Sequence, residues 1–264
     1  MLKPETISSA ANPLLKDVRR AVQRGGLTPQ GWCVAETPHL LEEALRSRCQ
    51  VKVVLAAESA RERLPRLPGA RFVILPETLL QEVSGTETSP GVMALVEPPE
   101  WKMEQLFQGR RLVVVLDGVQ DPGNAGAILR AAEAFGATGA IFLKGTASPF
   151  NPKTLRASAG SLFRVPFLYG MEAALARTAL RENRVELYAA APARPGEPRS
   201  TPAEVDLAAP CALIIGNEAR GVSREWRAVA REISIPTRGV ESLNAAMAAA
   251  ILLYEAGRQR ALRP

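Results

Sequence analysis

The chain has 264 residues, 47% hydrophobic and 23% charged, with a net charge of +6; this excludes a disordered chain and leaves one large or two modest folded domains, two being the better division. No apolar run reaches the roughly 18 residues that cross a bilayer, and the opening has no apolar targeting core, so neither a membrane-spanning nor a secreted protein is expected. Three cysteines, Cys33, Cys49 and Cys211, cannot all pair and show no metal-ligand spacing, which sets the expectation of a reducing cytoplasm and no bound metal.

The first element read from the sequence is a helix in "ISSAANPLLKDVRRAVQR", with Ser9 or Asn12 as its cap and Pro13 in its first turn. Leu14, Leu15, Val18 and Val22 fall at helical spacing, leaving Lys16, Arg19, Arg20 and Arg24 on a basic exposed side. A short strand "WCVAE" follows, then a helix "TPHLLEEALRSR" capped by Thr37, then a strand "VKVVLAA". "RFVILP", "ETLLQEVSG" and "GVMALVEP" continue the alternation and complete a compact α/β unit. "EPPEWKMEQLFQG" reads as a linker or connecting helix.

From Arg110 the rhythm restarts. "RLVVVLDG", "GAIFLKG", "RVPFLYG", "VELYAAAP", "CALIIGNE" and "EISIP" are apolar strands, separated by helices in "NAGAILRAAEAFGA", "NPKTLRASAG", "MEAALARTALREN" and "SREWRAVA" and followed by the long "SLNAAMAAAILLYEAGRQR". Continuous apolar strands alternating with helices predict a parallel sheet covered on both faces. "APARPGEPRSTPAE" reads as an exposed, mobile loop.

Charge is uneven. Residues 1–72 hold 12 basic against 7 acidic side chains and residues 73–109 hold 1 against 6, while residues 110–264 hold 20 against 14. A basic lobe ahead of an acidic stretch suggests a polyanion-binding surface followed by a linker. The only histidine, His39, lies beside Leu40 and Leu41 and is assigned no chemical role.

Ligands of open parallel sheets sit beyond the carboxyl ends of the strands, so the loops there carry the information. After "LVVVLDG" comes "VQDPGNAGAILR", after "CALIIG" comes "NEARGVS", and after "EISIP" comes "TRGVESLNAA". The first lacks both dinucleotide and P-loop glycine fingerprints, and no acidic residue stands at the ribose-reading distance of about 20 residues. Taken alone, Asn124 reads as a helix cap and Arg130 as a rim residue paired to Glu133 at i,i+3. By the same logic Glu218 sits in a glycine-bounded turn between Gly216 and Gly221, and Ser242 caps the last helix.

Together, "NAGAILRAAEAFGA", "IIGNEARGVS" and "ISIPTRGVESLNAAMAAAILLYEAGRQR" resemble, in order and spacing, the three signature motifs of the SpoU/TrmH branch of the SPOUT RNA methyltransferases. "SSAANPLLK" and the α/β unit after it resemble the ribosomal-protein-like extension that binds substrate in many members. The resemblance implies two α/β domains, residues 1–97 for RNA and 110–264 for methyl transfer, joined by residues 98–109. It implies a deep trefoil knot at the C-terminus, S-adenosylmethionine as cofactor, a homodimer through the C-terminal domain, and methylation of a ribose 2′-hydroxyl.

Carried over by position, the resemblance assigns catalysis to Asn124, Arg130, Glu218, Ser242 and Asn244. It places the cofactor against Ala190, Gly216, Asn217, Gly221, Ile235 and Leu243, and RNA against Arg130 with the basic residues Lys16, Arg19 and Arg20. Two positions depart from the pattern: Ala219 stands where the second motif usually has Gly, which restricts the loop if φ > 0 is needed there, and "TSPGVMAL" lacks a Gln between Pro and Gly. Large-subunit ribosomal RNA is the substrate expected from the first domain, with transfer RNA the alternative. Two further alternatives are methylation of a base, for which the third loop lacks another carboxylate, and an RNA-binding, ribosome-associated protein without catalysis.

Overall fold

The computed structural model describes residues 4–63, 67–85, 91–192 and 199–263. The chain divides into two compact units, one comprising residues up to Glu100 together with Phe150–Phe163, the other Trp101–Pro149 with Arg164 onward. The middle of the proline-rich loop, residues 193–198, and residues 86–90, which include all of the departing "TSPG" segment but its Gly91, lie outside the described residues.

The first unit contains β1 (Glu5–Thr6), α1 (Pro13–Arg24), β2 (Cys33–Ala35), α2 (Pro38–Arg46), β3 (Gln50–Ala57), β4 (Arg71–Leu75), α3 (Glu77–Val83) and β5 (Val92–Glu97). Asn12 caps α1 by accepting from the Leu14 N–H at 2.9 Å, and Thr37 caps α2 through the Leu40 N–H at 3.2 Å. Pro follows each cap at a position whose N–H no helix needs. α1 buries Leu15, Val18 and Ala21, and ends at Gly25 with φ +64, which a side chain resists. The strands order β1-β4-β3-β5-β2; β1, β4 and β3 run parallel, and β5 pairs antiparallel with both β3 and β2.

The second unit contains β6 (Leu112–Asp117), α4 (Pro122–Ala134), β7 (Gly139–Leu143), β8 (Phe167–Met171), α6 (Ala173–Glu182), β9 (Glu186–Ala190), β10 (Cys211–Gly216), α7 (Arg224–Arg227), β11 (Arg231–Ile233) and α8 (Ala245–Ala261). Between β7 and β8 the chain forms α5 (Pro152–Ser158), which packs on β2 in the first unit. There Arg156 pairs with Glu36, a fully buried carboxylate that also accepts the Gly85 N–H at 2.6 Å. Two ionic and amide donors satisfy a charge that could not otherwise be buried.

The six strands order β11-β9-β10-β6-β7-β8, every pair parallel. Val113, Val115, Ile141, Leu143, Ala212 and Ile214 face α6 and α7, where Leu180 and Trp226 close the core. α4 and α8 pack together, and α8 lies against β10. From β10 the chain passes β9 to form the edge strand β11, then returns as α8 to the central strands.

α8 is held at its far end by Arg260. Its guanidinium donates to the carbonyls of Leu207 at 2.9 Å, Arg110 at 2.5 Å, and Arg111 and Ala209 at 2.9 and 2.7 Å. Those carbonyls precede β6 and β10, so the last helix is anchored to the amino ends of the two central strands while its first residue reaches their carboxyl ends, about 25 Å away for 17 residues. Arg260→Met leaves buried carbonyls without donors, and urea denaturation is expected to show a loss of about 3 kcal/mol.

Candidate active site

Because all six strands are parallel, the loops that follow β6, β10 and β11 open on one edge of the sheet. β6 and β10 are neighbours in register, Asp117 lying opposite Gly216. The Asn217 side chain donates to the Gly118 carbonyl at 2.8 Å, and Asp117 accepts the Ser223 N–H at 2.7 Å, which laces the first two loops together. The second loop closes on itself through paired backbone bonds between Asn217 and Gly221, at 3.0 and 2.8 Å. Gly221 takes φ +68 there, whereas Ala219 does not have positive φ, so the departure from Gly at 219 costs the loop no strain.

Asn124 is not the cap of α4. Asp121 is: its carboxylate accepts the Asn124 N–H at 2.9 Å and Pro122 occupies the first turn. The Asp-Pro pair was the signal for this start, since Pro is at home only where the N–H is unpaired anyway. Placed one turn inside the helix, Asn124 is free to use its side chain elsewhere. Its Nδ2 donates to Glu218 Oε1 at 2.9 Å, and its Oδ1 accepts from Asn244 Nδ2 at 2.9 Å.

Asn244, not Ser242, caps α8, accepting the N–H groups of Ala246 and Met247 at 2.9 and 3.2 Å. The result is a one-directional chain of hydrogen bonds. Helix amides donate to Asn244, Asn244 donates to Asn124, and Asn124 donates to Glu218. Each amide orientation is dictated by its neighbours, because helix N–H groups can only donate and an ionised carboxylate can only accept.

Glu218 has both oxygens engaged, Oε1 by Asn124 and the Asp121 N–H at 3.2 Å, Oε2 by the Gln120 N–H at 3.1 Å. Burial pushes its carboxyl up, but the donors, Asn124 first, outweigh this and hold it below the usual carboxylate range. The ionised form is thus favoured on folding, so the stabilisation is complete above the ordinary carboxylate range and is lost as pH falls through the lowered value. Carboxyl-carbon NMR is expected to show Glu218 titrating below an exposed glutamate, and Asn124→Ala is expected to move it back up. Three donors from the first loop and α4 hold the Glu218 side chain in place.

Arg130 and Ser242 stand apart from this chain. Arg130 lies about 9 Å further along α4, is exposed, and has no hydrogen bond or ion pair among the described residues. The rim pair with Glu133 does not form, since Glu133 is bound in bidentate fashion by Arg164. Ser242 is exposed and has no hydrogen-bond partner among the described residues.

A cavity of about 250 Å³ opens beside the Glu218 loop. Ala190, Gly216, Asn217, Gly221, Ile235, Leu243 and Ser242 all line it. Ile215, Leu252 and Glu218 line it as well. Such a lining suits a nucleoside with an attached sulfonium cation. Glu232, which no motif in the sequence marks, also lines the cavity between Arg199, at 2.6 Å, and Arg227, at 2.5 Å. Burial raises its carboxyl, yet those two guanidinium groups hold it low. Alternating residues of a three-residue strand carry no legible signal for that arrangement.

The model of the SpoU rRNA Methylase family matches residues 111–254. The chain is similar to the 23S rRNA (guanosine(2553)-2'-O)-methyltransferase RlmP of Bacillus subtilis, 34% identical over 250 residues that cover 94% of this chain and 97% of that protein. It is also similar to the 23S rRNA (uridine(2479)-2'-O)-methyltransferase of Streptomyces viridochromogenes, 35% identical over 76% of this chain and 71% of the relative. Among solved structures, the SpoU methyltransferase AviRb of that organism in complex with AdoMet superposes with a TM-score of 0.81 at 28% identity, covering 95% of this chain and 98% of the other. An AdoMet-bound rRNA methyltransferase from Sinorhizobium meliloti gives 0.83 at 27% identity, covering 96% and 97%.

Proposed function

The chain belongs to the SpoU rRNA methylase family, and on that premise we propose that it methylates a ribose 2′-hydroxyl of 23S ribosomal RNA with S-adenosylmethionine as donor. The observation that carries the reading is the hydrogen-bonded chain Asn244, Asn124, Glu218, which ties the three motif loops together beside the cavity. The cofactor supplies a methyl group on a sulfonium. Ala190, Gly216, Asn217, Gly221, Ile235 and Leu243 would hold it in the cavity they line. A knotted path is proposed for the segment after β10, which passes β9 to the edge strand β11 and comes back as α8 to pack on β10 and α4.

Catalysis here is mainly a matter of positioning an oxygen nucleophile. Arg130 is free to grip a phosphate with its planar fork and so orient the neighbouring 2′-hydroxyl; a guanidinium holds its proton and suits gripping better than proton abstraction. The Asn124 and Asn244 amides fix the loop wall, and the Ser242 hydroxyl lines the cavity where it can meet the ribose. Arg130→Lys is expected to lower kcat/KM at least about tenfold, because an ammonium cannot reproduce bidentate contact.

In the first unit, Lys16 and Arg24 have no ion-pair partner among the described residues, whereas Arg19 lies 3.5 Å from Glu82 and Arg20 3.9 Å from Asp17. Lys16 leads the proposed RNA contacts of residues 1–97, with Arg20 on the same exposed side and Arg19 diverted toward Glu82. Exposed Met247, Ile251 and Tyr254 recur at helical spacing along α8, a stripe that supports pairing of two copies through the C-terminal unit. No helix among the described residues is long and apolar enough to cross a membrane, and a cytoplasmic location is proposed to match the substrate.

The decisive experiment incubates the protein with methyl-labelled cofactor and 23S rRNA, then maps the label after alkaline hydrolysis. A methylated 2′-oxygen cannot attack its phosphate, so a resistant dinucleotide supports ribose methylation. Label in an alkali-released mononucleotide means base methylation, and absence of cofactor binding in calorimetry means a non-catalytic RNA-binding protein.

A further inference from the structure

We infer that Arg164 and Glu133 are positioning residues whose pairing keeps Arg130 free for RNA. This rests on the reading of Arg130 as the phosphate grip. Arg130 and Glu133 are three residues apart on α4, a spacing at which opposite charges pair on a helix surface. In this chain Glu133 does not serve Arg130. Arg164, just before β8, engages both of its oxygens, Nη2 meeting Oε2 at 3.0 Å and Nε meeting Oε1. The pair is only about one-third exposed, 32% and 33%, so it is partly shielded from solvent. Arg130 has no partner among the described residues and projects from the same helix.

A bidentate guanidinium–carboxylate contact is stronger than a single i,i+3 pair, so Glu133 partitions to Arg164. The arrangement also sets the local charge. With Arg164 present, the pair is neutral and Arg130 offers a full positive charge to a phosphate. Without it, Glu133 is left one helical turn from Arg130 and cancels that charge. A surface ion pair of this kind is worth little to stability; its value lies in preventing a competing one.

The test measures kcat/KM with 23S rRNA, and RNA affinity by filter binding, for Arg164→Met, Arg164→Met with Glu133→Gln, and both in an Arg130→Ala background. Arg164→Met is expected to weaken RNA binding and lower kcat/KM about threefold to tenfold, the size of one unscreened neighbouring charge, with cofactor affinity in calorimetry unchanged. Adding Glu133→Gln is expected to restore the loss, and neither change should matter once Arg130 is Ala. An unimpaired Arg164→Met, or a double variant as impaired as the single, overturns the inference, since a purely structural role would not be rescued by removing Glu133. If Arg164→Met does not fold, Arg164→Lys takes its place, an ammonium holding one carboxylate oxygen at best, with the same rescue required. Should Arg130→Ala bind and methylate RNA normally, the phosphate-grip reading itself fails, an outcome distinct from failure of rescue.

Discussion

Asn124→Asp is expected to lower kcat/KM for methyl transfer about a hundredfold, close to 2.7 kcal/mol of transition-state stabilisation. The wild-type amide is the one group that both donates to Glu218 and accepts from Asn244, each at 2.9 Å. A carboxylate at 124 still accepts from Asn244 but faces Glu218 with no proton to share, and two carboxylates at hydrogen-bond distance cannot both stay ionised. Glu218 is already held low by the Gln120 and Asp121 N–H groups, so repulsion parts the two loops before it protonates the pair. Adding Glu218→Gln gives the site a donor again and is expected to recover about tenfold. The recovery is partial because the new amide also meets a backbone N–H as donor against donor. Single-turnover kinetics check both variants; Asn124→Asp activity within threefold of wild type would remove the hydrogen-bonded chain from the mechanism.

The second large effect concerns backbone rather than side chain. A Cβ on Gly216 would lie 2.1 Å from the Val222 nitrogen and 2.2 Å from the Gly221 carbonyl carbon. These atoms cannot swing aside, since Gly221 is locked to Asn217 by two backbone hydrogen bonds. Gly216→Ala must therefore open the loop that carries Glu218 and lines the cavity. The expected outcome is loss of measurable cofactor binding in calorimetry and a stability decrease of about 3 kcal/mol, the upper end for overpacking. Ala219→Gly is the contrast: residue 219 has no positive φ to relieve, so activity and cofactor affinity should stay near wild type. A Gly216→Ala protein that binds cofactor normally would show the close approach to be dispensable.

Local signals in the sequence are legible where one residue and its immediate neighbours decide the outcome. Asn12 and Thr37 cap the helices expected of them, because an oxygen two or three residues from an unpaired N–H needs no distant help. The same rule misled at Asn124 and Ser242. Each stands near a helix start, but Asp121 and Asn244 take the caps, and several cap-forming residues in a row cannot be ranked by type alone. The Arg130–Glu133 pair failed for a different reason. Its spacing is right, yet Arg164, 31 residues further on, offers the carboxylate two bonds instead of one.

What the sequence determined by itself was the parallel sheet, the three polar loops at its strand ends and the family those loops identify, for these depend on apolar runs, glycines and residue order within short windows. Only the tertiary structure decided which polar groups touch. Asn124 meets Glu218 across 94 residues and Asn244 across 120. It decided, too, that α5 completes the first unit by bringing Arg156 to the buried Glu36, 120 residues earlier. Hydrogen bonds demand placement to within a few tenths of an ångström, and over such separations that placement is set by how the strands order and how α8 is anchored, not by any pattern a local reading can hold.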